Sequence, residues 1–266
     1  MTSHPILAQR PTLNPYLLAL RLALNRLRWD LNPEALRSRR HLRASRDRHA
    51  GSRAVILCNG PSLLSTDFDR LAASDAFVFG LNKINLLFPR TDLRLDAIVA
   101  VNPFVIEQNL DFFRSTGIEL YLDSGSYPLV GRRGNLTYLH SAPAPHFARD
   151  CSVSVYQGYT VTFVALQLAF HMGFADVALV GCDHDFSSKG PANMEVVAGE
   201  RDADHFDPGY FPKGATWQLP DLAQSEASYA LAREAFEAAG RRVLNCTVGG
   251  KLEIFPRMSL EAFLAG

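Results

Sequence analysis

Four short apolar runs, each stopping at an Asn or an Asp, are the feature that most constrains the fold of this chain. The runs are 54–58 before Asn59, 77–81 before Asn82, 96–101 before Asn102, and 177–182 before Asp183. Runs of this length are typical of strands buried on both faces of a parallel sheet. Helix-like stretches lie between them at 63–73, 104–115 and 160–172. This alternation predicts an α/β fold with a doubly wound, mostly parallel, Rossmann-like sheet and helices on both faces.

The polar residues that end the four runs are predicted to meet in one crevice. Ligands of doubly wound sheets bind beyond the carboxyl ends of the strands, which is where these side chains lie. Any single Asn could instead cap the helix that follows it. The set of four therefore favours a ligand site, with helix capping as the alternative for each member.

The loop after the first run, Asn59-Gly60-Pro61-Ser62, is a candidate nucleotide or phosphate cradle. Gly60 permits backbone angles that a side chain would forbid, and Pro61 fixes its own φ. Asn59 and Ser62 offer short hydrogen-bonding side chains. The loop is neither a G-x-G-x-x-G nor a Walker A sequence, so a dinucleotide site and a P-loop are not indicated. An ordinary strand–turn–helix connection remains the alternative.

Composition and cysteine spacing indicate a soluble cytoplasmic protein. The chain has 266 residues, of which 47% are hydrophobic and 20% charged, and this is ordinary for one sizeable domain with an appendage. We find neither a signal peptide nor the roughly 20 uninterrupted apolar residues of a membrane span. The four cysteines lack C-x-x-C spacing. Buried thiols in a reducing compartment are therefore favoured over disulfides or a zinc site.

The amino-terminal segment is strongly basic although the whole chain is neutral. Residues 1–53 hold eleven Arg and three acids, a net charge of +8, so the remainder carries −8. Leucines recur at spacings of three and four, at positions 13, 17, 20, 24, 27 and 31. This pattern predicts an amphipathic helix that Asn14 caps, with Pro15 in its first turn and an end near Asn32 and Pro33. We predict residues 1–50 as a basic amphipathic helix with a linker, and residues 51–266 as the catalytic domain.

Three roles for this helix stay open. It could contact the inner face of a membrane peripherally through residues 13–31, since basic amphipathic helices bind anionic lipid surfaces. It could form a homo-oligomer, because the leucines also make a short heptad seam. It could simply pack on its own domain. Nucleic-acid binding is not indicated, because the rest of the chain is acidic and shows no interleaved basic and aromatic motif.

A long segment of little periodicity, about 184–224, is predicted to be a lid or binding loop. It contains the sequence His-Phe-Asp-Pro-Gly-Tyr-Phe from His205 to Phe211. Histidine is the side chain best suited to take a proton near neutral pH, so His205 is a candidate base. His184 is equally consistent with a role in chemistry and with a turn. The Asp residues of the segment could bind a metal or only cap turns.

Several motifs together resemble the MptE-like superfamily, named for the archaeal 6-hydroxymethylpterin diphosphokinase. They are the Asn-Gly-Pro-Ser-Leu loop from 59, Gly-Tyr-Thr from 158, Ala-Leu-Val-Gly-Cys-Asp-His-Asp-Phe from 178, the lid motif from 205, and Asn-Cys-Thr-Val-Gly-Gly-Lys-Leu-Glu-Ile-Phe-Pro from 245. The superfamily is related to bacterial family 42 sialyltransferases and to flagellin-modifying transferases that use nonulosonic acids. The similarity spans about 52–260. Cys58 departs from it, since relatives often carry Gly there.

The resemblance implies a glycosyltransferase that moves a nonulosonic, sialic-acid-like sugar from a CMP-sugar to a glycan or surface acceptor. In such an enzyme His205 would be the general base, Tyr210 would donate a hydrogen bond to the leaving phosphate, and no metal would be required. The residues implied to hold the nucleotide are Asn59, Gly60, Ser62, Asn82, Asn102, Gly158, Thr160 and Asp183.

Two alternatives accompany this reading. A diphosphokinase of the MptE type would place ATP and Mg²⁺ in the same crevice, with Asp183, Asp185 and Asp207 as metal ligands. Phosphoryl transfer favours nearby cations, and Lys83 is the conspicuous one at a strand end. A non-catalytic nucleotide- or glycan-binding module is the second alternative.

Overall fold

The fold is built around a seven-stranded, entirely parallel sheet. In this computed structural model, residues 14–187 and 190–266 are described. The strands are β1 Arg53–Leu57, β2 Phe77–Leu81, β3 Ala97–Ala100, β4 Glu119–Asp123, β5 Leu136–Leu139, β6 Asp176–Val180, β7 Glu195–Val197, β8 Thr216–Gln218 and β9 Arg242–Asn245. The large sheet has the order β5-β4-β3-β2-β1-β6-β9, while β7 and β8 form a separate antiparallel hairpin. The predicted doubly wound α/β class is confirmed.

Helices cover both faces of the sheet. They are α1 Pro15–Asp30, α2 Pro33–Ser45, α3 Phe68–Ala72, α4 Pro103–Gln108, α5 Leu110–Ser115, α6 Tyr127–Val130, α7 Val161–Met172, α8 Leu222–Ala238 and α9 Leu260–Ala265, with short 3₁₀ helices at Pro61–Ser65, Ile84–Arg90 and Ser124–Ser126. Because side chains alternate along a strand, β1 contributes to two cores. Ala54 and Ile56 pack with α7 and α8, whereas Val55 and Leu57 face the opposite layer.

The sheet order places a topological switch point between β1 and β6. After β1 the chain builds β2 to β5 on one side, and it then crosses to β6 on the other side of β1. The two strands are in register, with Leu57 opposite Val180. The loops that leave their carboxyl ends therefore diverge around a crevice, the usual ligand position in this class of fold.

The second helix protects the edge of the sheet. Ser38 Oγ accepts a hydrogen bond of 3.0 Å from the Tyr138 amide, and the Arg37 guanidinium donates to the Leu136 carbonyl. Both partners belong to the edge strand β5, whose backbone groups would otherwise be open to pairing with another chain. Leu42 also enters the core. The basic stretch that the sequence analysis treats as a linker thus contains α2, which is part of the globular domain.

The first helix has the predicted limits but stays largely outside the core. The Asn14 side chain accepts a 3.0 Å hydrogen bond from the Tyr16 amide, and the helix ends at Asp30. Trp29 is its buried residue. Leu13, the first leucine of the stripe, lies outside the described residues. Among the described residues, we find no helix with the length and apolarity needed to cross a membrane.

Candidate active site

The lid docks directly on the carboxyl ends of β1 and β2. The Phe206 amide donates a 2.9 Å hydrogen bond to the Asn59 carbonyl, so the lid motif is fixed to the Asn-Gly-Pro-Ser loop. The Lys83 ammonium, just beyond β2, donates a 2.8 Å hydrogen bond to the Tyr210 carbonyl. The lid and the strand ends, which the sequence analysis predicts separately, therefore form one site.

His205 carries a carboxylate partner and an aromatic support. Its Nδ1 lies 2.9 Å from Asp202 Oδ2, and the side chain is 13% exposed. The imidazole stacks on the Tyr210 ring, with centroids 4.0 Å apart and planes 3° from parallel. A carboxylate on Nδ1 orients the ring, favours the tautomer with an unprotonated Nε2, and stabilises the positive charge that follows proton uptake. An imidazole held in this way is chemically able to take a proton from a hydroxyl group.

Lys83 is a buried cation beneath the lid. Its side chain is 5% exposed, and Nζ also donates a 2.6 Å hydrogen bond to Gln108 Oε1. The ammonium lies 4.8 Å from the centroid of the Phe211 ring, within cation–π distance. Burial lowers the pKa of Lys83 to about 8, and the nearby Asp202 carboxylate acts in the opposite direction. The Asp202 carboxylate thus contacts His205 and also acts electrostatically on Lys83.

Buried polar atoms without a hydrogen-bond partner are concentrated at this place. Within the described parts of the chain they include Asn59 Oδ1, Ser62 Oγ, Asn82 Oδ1 and the Tyr210 hydroxyl. Leaving such a group unpaired costs about 1–3 kcal/mol, so folded proteins rarely accumulate them. Asn82 also has a φ of +52°, a left-handed conformation that costs energy for a residue with a side chain. The cluster indicates a site for a polar ligand.

Tyr210 is suited to act as a neutral hydrogen-bond donor. Burial raises the pKa of its hydroxyl, while the backbone amide of Lys83 and the side chain of Asn82 lower this pKa by less. Although Asn82 is close enough to influence this pKa, its side-chain oxygen and the Tyr210 hydroxyl do not meet in hydrogen-bond geometry. The phenol therefore keeps its proton at neutral pH.

Asp183 positions the Asn-Gly-Pro-Ser loop across the switch point. Its Oδ2 accepts a 2.9 Å hydrogen bond from the Ser62 amide. A Cβ added to Gly60 would lie 2.2 Å from the same oxygen, so the loop needs glycine at this position. The nucleotide-binding role of both residues stays a prediction. What the structure shows is that they join the loop after β1 to the segment after β6.

Asn102, Gly158 and Thr160 lie at the same edge and make local contacts there. Asn102 Oδ1 caps α4 by accepting a 2.9 Å hydrogen bond from the Phe104 amide. Thr160 Oγ1 accepts from the Thr162 amide and begins α7 where the sequence predicts. Gly158 has a φ of +60°. Their roles toward a nucleotide stay predictions, and the alternative of helix capping is observed for Asn102 and Thr160.

The three Asp residues proposed as metal ligands are held in different contacts. Asp183 accepts a hydrogen bond from the Ser62 amide. Asp185 forms an ion pair with Lys251 at 2.9 Å, and Asp207 forms one with Arg90 at 2.8 Å. Across residues 14–187 and 190–266, no three His, Cys, Asp or Glu side chains are grouped as a metal site requires. These residues therefore do not form one ligand set. His184 is likewise engaged elsewhere, with Nε2 3.0 Å from Glu226.

Sequence reasoning missed two polar groups at this edge. Asp202 precedes His205 by three residues, and this spacing within an acidic stretch is the signal that could have identified it. Asp123, at the end of β4, accepts hydrogen bonds from Ser141 Oγ at 2.6 Å and from Gln157 Nε2 at 3.2 Å. This second group escaped notice because neither β4 nor β5 was predicted.

The lid packs over part of the candidate site and leaves its residues only partly exposed. Two surface depressions of about 530 Å³ each lie elsewhere. One is on the outer side of α8 beside Arg233, and the other is at the amino edge of the sheet beside His49 and Phe77. Neither contains the residues around His205.

Comparison with known proteins supports one part of the family assignment. The family model for 6-hydroxymethylpterin diphosphokinase MptE-like proteins matches residues 32–189, more than half of the chain. The match includes β1 to β6 and the Asn-Gly-Pro-Ser loop, and it ends before His205. Comparisons with curated proteins and with solved structures find no match. The relationship to sialyltransferases stays a prediction, while the family itself is shown: the chain belongs to the MptE-like family.

Proposed function

We propose that this protein is a transferase that binds a nucleotide-activated substrate at the carboxyl edge of the sheet and uses His205 as general base. The favoured donor is a CMP-linked nonulosonic sugar, and the acceptor is a hydroxyl of a glycan. The observation that carries the proposal is the His205–Asp202 pair, stacked on Tyr210 beside the unpartnered polar atoms. A base supported in this way suits deprotonation of a hydroxyl group.

The proposed reaction is a displacement at the anomeric carbon of the donor. His205 Nε2 takes the proton of the acceptor hydroxyl while that oxygen forms the new glycosidic bond. The bond between the anomeric carbon and the phosphate oxygen breaks, and CMP leaves with the electron pair. Asp202 stabilises the imidazolium, and Tyr210 donates a hydrogen bond to the departing phosphate. This transfer needs no metal, because a monophosphate is released and hydrogen bonds stabilise its charge.

Binding of the nucleotide is assigned to the ends of β1 and β2. Asn59, Ser62 and Asn82 supply the unpartnered polar atoms, and Gly60 allows the backbone to approach the ligand closely. Lys83 contributes positive charge from below the lid, which favours a phosphate in the crevice. Asn102, Gly158, Thr160 and Asp183 stay in the proposed nucleotide set as residues of the crevice wall.

A diphosphokinase reaction is the second candidate. It is favoured by the printed description of the matching family and by Lys83, since a buried cation suits transfer of a charged diphosphate. It would require ATP with Mg²⁺. Because Asp183, Asp185 and Asp207 do not form one ligand set, we assign no step of this reaction to a metal bound by these residues. A binding module without catalysis is a third possibility, distinguished by the absence of turnover.

The decisive experiment is calorimetric titration of the protein with CMP, CDP and ATP, each in EDTA and in Mg²⁺. Binding of CMP in EDTA, with no heat from ATP, is expected. It would direct turnover assays to CMP-activated sugars. Binding of ATP only with Mg²⁺, with CMP silent, would overturn the glycosyltransferase in favour of the diphosphokinase.

Two variants connect this titration to the site. Asn59→Ala removes a group assigned to the nucleotide, whereas Asn135→Ala removes an amide that bonds the Thr116 and Ile118 carbonyls at the opposite edge of the sheet. Only the first variant should weaken nucleotide binding. Equal affinities of the two variants would mean that the nucleotide binds elsewhere.

A further inference from the structure

The leucine stripe of α1 is exposed to solvent. Leu17, Leu20, Leu24, Leu27 and Leu31 are between 51% and 75% exposed, and Tyr16 is 82% exposed. Contiguous apolar surface of this kind on a soluble domain marks an interaction site, whereas scattered exposed leucines would not. The stripe is therefore a candidate surface for binding a partner. The predicted alternative, that α1 buries these leucines on its own domain, is not observed among the described residues.

The opposite side of α1 holds the helix on the domain. Trp29 packs edge-on against Tyr138, with ring centroids 6.3 Å apart. Arg26 donates a hydrogen bond to the Val153 carbonyl and lies 3.4 Å from His140 Nδ1. These contacts fix the orientation of the helix while leaving the leucines free.

The position of α1 relates it to the candidate site. His140 directly follows the carboxyl end of β5, so α1 is attached at the same edge of the sheet that carries His205. The two places are separated along this edge, because β5 is the outermost strand of the sheet while the lid docks at β1 and β2.

The charges around the stripe identify the partner. Arg21 and Arg28 are exposed beside the leucines on the helix surface, and neither appears in an ion pair of the described residues. Asp30, the single acid of α1, is neutralised by Arg26 and Arg39. Docking two copies through α1 would bring two segments of charge +8 together, whereas an anionic surface complements them.

We propose that α1 docks this protein on an anionic lipid membrane. The leucine face enters the boundary between headgroups and acyl chains, and Arg21 and Arg28 contact lipid phosphates while their stems follow the apolar surface. The acidic remainder of the chain, at −8, is repelled and faces away from the lipid. The docking does not depend on which transferase reaction the crevice performs.

Flotation of the full-length protein with lipid vesicles tests this docking. The vesicles are phosphatidylcholine alone and phosphatidylcholine with phosphatidylglycerol, and binding is expected only to the second kind and to weaken with added salt. Leu24→Glu should reduce binding at least about tenfold, because a carboxylate would enter the apolar boundary. Arg21→Gln with Arg28→Gln should reduce it about 30-fold.

Leu36→Glu is the matched control. Leu36 is 52% exposed, close to the 55% of Leu24, but it lies on α2 outside the stripe. It should bind vesicles like the parent, and circular dichroism should show all variants folded. Equal loss in Leu24→Glu and Leu36→Glu would overturn the proposal. An absence of binding to anionic vesicles would also overturn it. In that case, light scattering that shows a dimer of the parent and a monomer of Leu24→Glu would assign the leucine stripe to self-association.

Discussion

Two histidines of this protein stack on aromatic rings at opposite edges of the same sheet. At the amino edge His49 lies on Phe174, with centroids 4.8 Å apart and planes 10° from parallel. At the carboxyl edge His205 lies on Tyr210, at 4.0 Å and 3°. The ring geometry is nearly the same, so stacking alone does not distinguish a catalytic histidine from a packing residue.

The partners of the two rings make the difference. His49 is surrounded by Phe77 and Phe174, and burial together with Arg48 lowers its pKa. It is therefore kept neutral as part of an aromatic cluster. His205 instead has the Asp202 carboxylate on Nδ1 and stacks on Tyr210, whose hydroxyl lacks a hydrogen-bond partner. The two histidines therefore differ in the carboxylate and in the unpaired polar atoms nearby, not in the aromatic stack, and it is on these features that we base the proposed role of His205.

The largest expected effect comes from exchanging each histidine for glutamine. His205→Gln should lower turnover by about 10²- to 10⁴-fold, the usual contribution of a general base. His49→Gln should leave turnover near that of the parent and should lower the free energy of unfolding, since it disrupts a packed ring cluster. Steady-state kinetics and chemical denaturation of both variants provide the measurement. Similar kinetics in the two variants would remove His205 from the mechanism.

Asp202→Asn sharpens the comparison by removing the charge while retaining the shape. We expect turnover to fall roughly 10- to 100-fold, because a hydrogen bond to a charged group contributes about 1.5–3 kcal/mol. As Asp202 acts through His205, the loss should appear in kcat with little change in KM. Asp202→Glu should recover part of it. A change confined to KM would instead assign Asp202 to substrate binding.

Two asparagines at the carboxyl edge, Asn59 after β1 and Asn102 after β3, provide the third test. Asn59→Ala should weaken nucleotide binding by about 1–3 kcal/mol, since one buried hydrogen bond to the ligand is lost. Asn102→Ala should cost about 1 kcal/mol of stability, because it removes the N-cap of α4. Calorimetric titration and denaturation measure the two quantities. A large loss of affinity in Asn102→Ala would show that this side chain serves the nucleotide in addition to the helix.

The sheet was predictable where strands are apolar and end in polar turns. β1, β2, β3 and β6 all fit this pattern, so the switch point and the crevice could be located from the sequence. β4 and β5 are short and carry Tyr, Thr and Glu among their apolar residues. Their apolar runs are therefore too short to distinguish a strand from the surrounding sequence. Because these two strands are not predicted from the sequence, the hydrogen-bonded group around Asp123 at the end of β4 is not predicted either.

The lid was predictable as a segment but not as a docked structure. Its aromatic motif indicates a functional loop, yet the contact between Phe206 and Asn59 joins residues far apart in the sequence. The same holds for Lys83 and Tyr210, whose contact depends on how the lid returns to β2. The arginine-rich sequence of α2 predicts a linker, because the Leu136 carbonyl that accepts from Arg37 is provided only by the folded sheet.

A third histidine, His140, gives the smallest and most specific test of the comparison. It follows β5 at the carboxyl edge, but it has arginines where His205 has a carboxylate. Burial, with Arg26 and Arg39, lowers the pKa of His140 to about 4. If the carboxylate partner decides function, His140 should be structural despite its position on the functional edge.

The pH dependence of stability tests this role. His140 is neutral in the folded protein, whereas in the unfolded chain it takes up a proton as the pH falls through about 6.5. Its contribution to stability is therefore complete above that value and is lost as the pH falls toward the folded pKa. Between pH 7 and pH 6 the loss should be no more than about 0.7 kcal/mol, because solvent screens part of the effect. Urea denaturation should show that the free energy of unfolding of His140→Gln falls less between pH 7 and pH 6 than that of the parent. Turnover of this variant should be unchanged. A fall in turnover as large as that of His205→Gln would break the rule that the carboxylate marks the catalytic histidine.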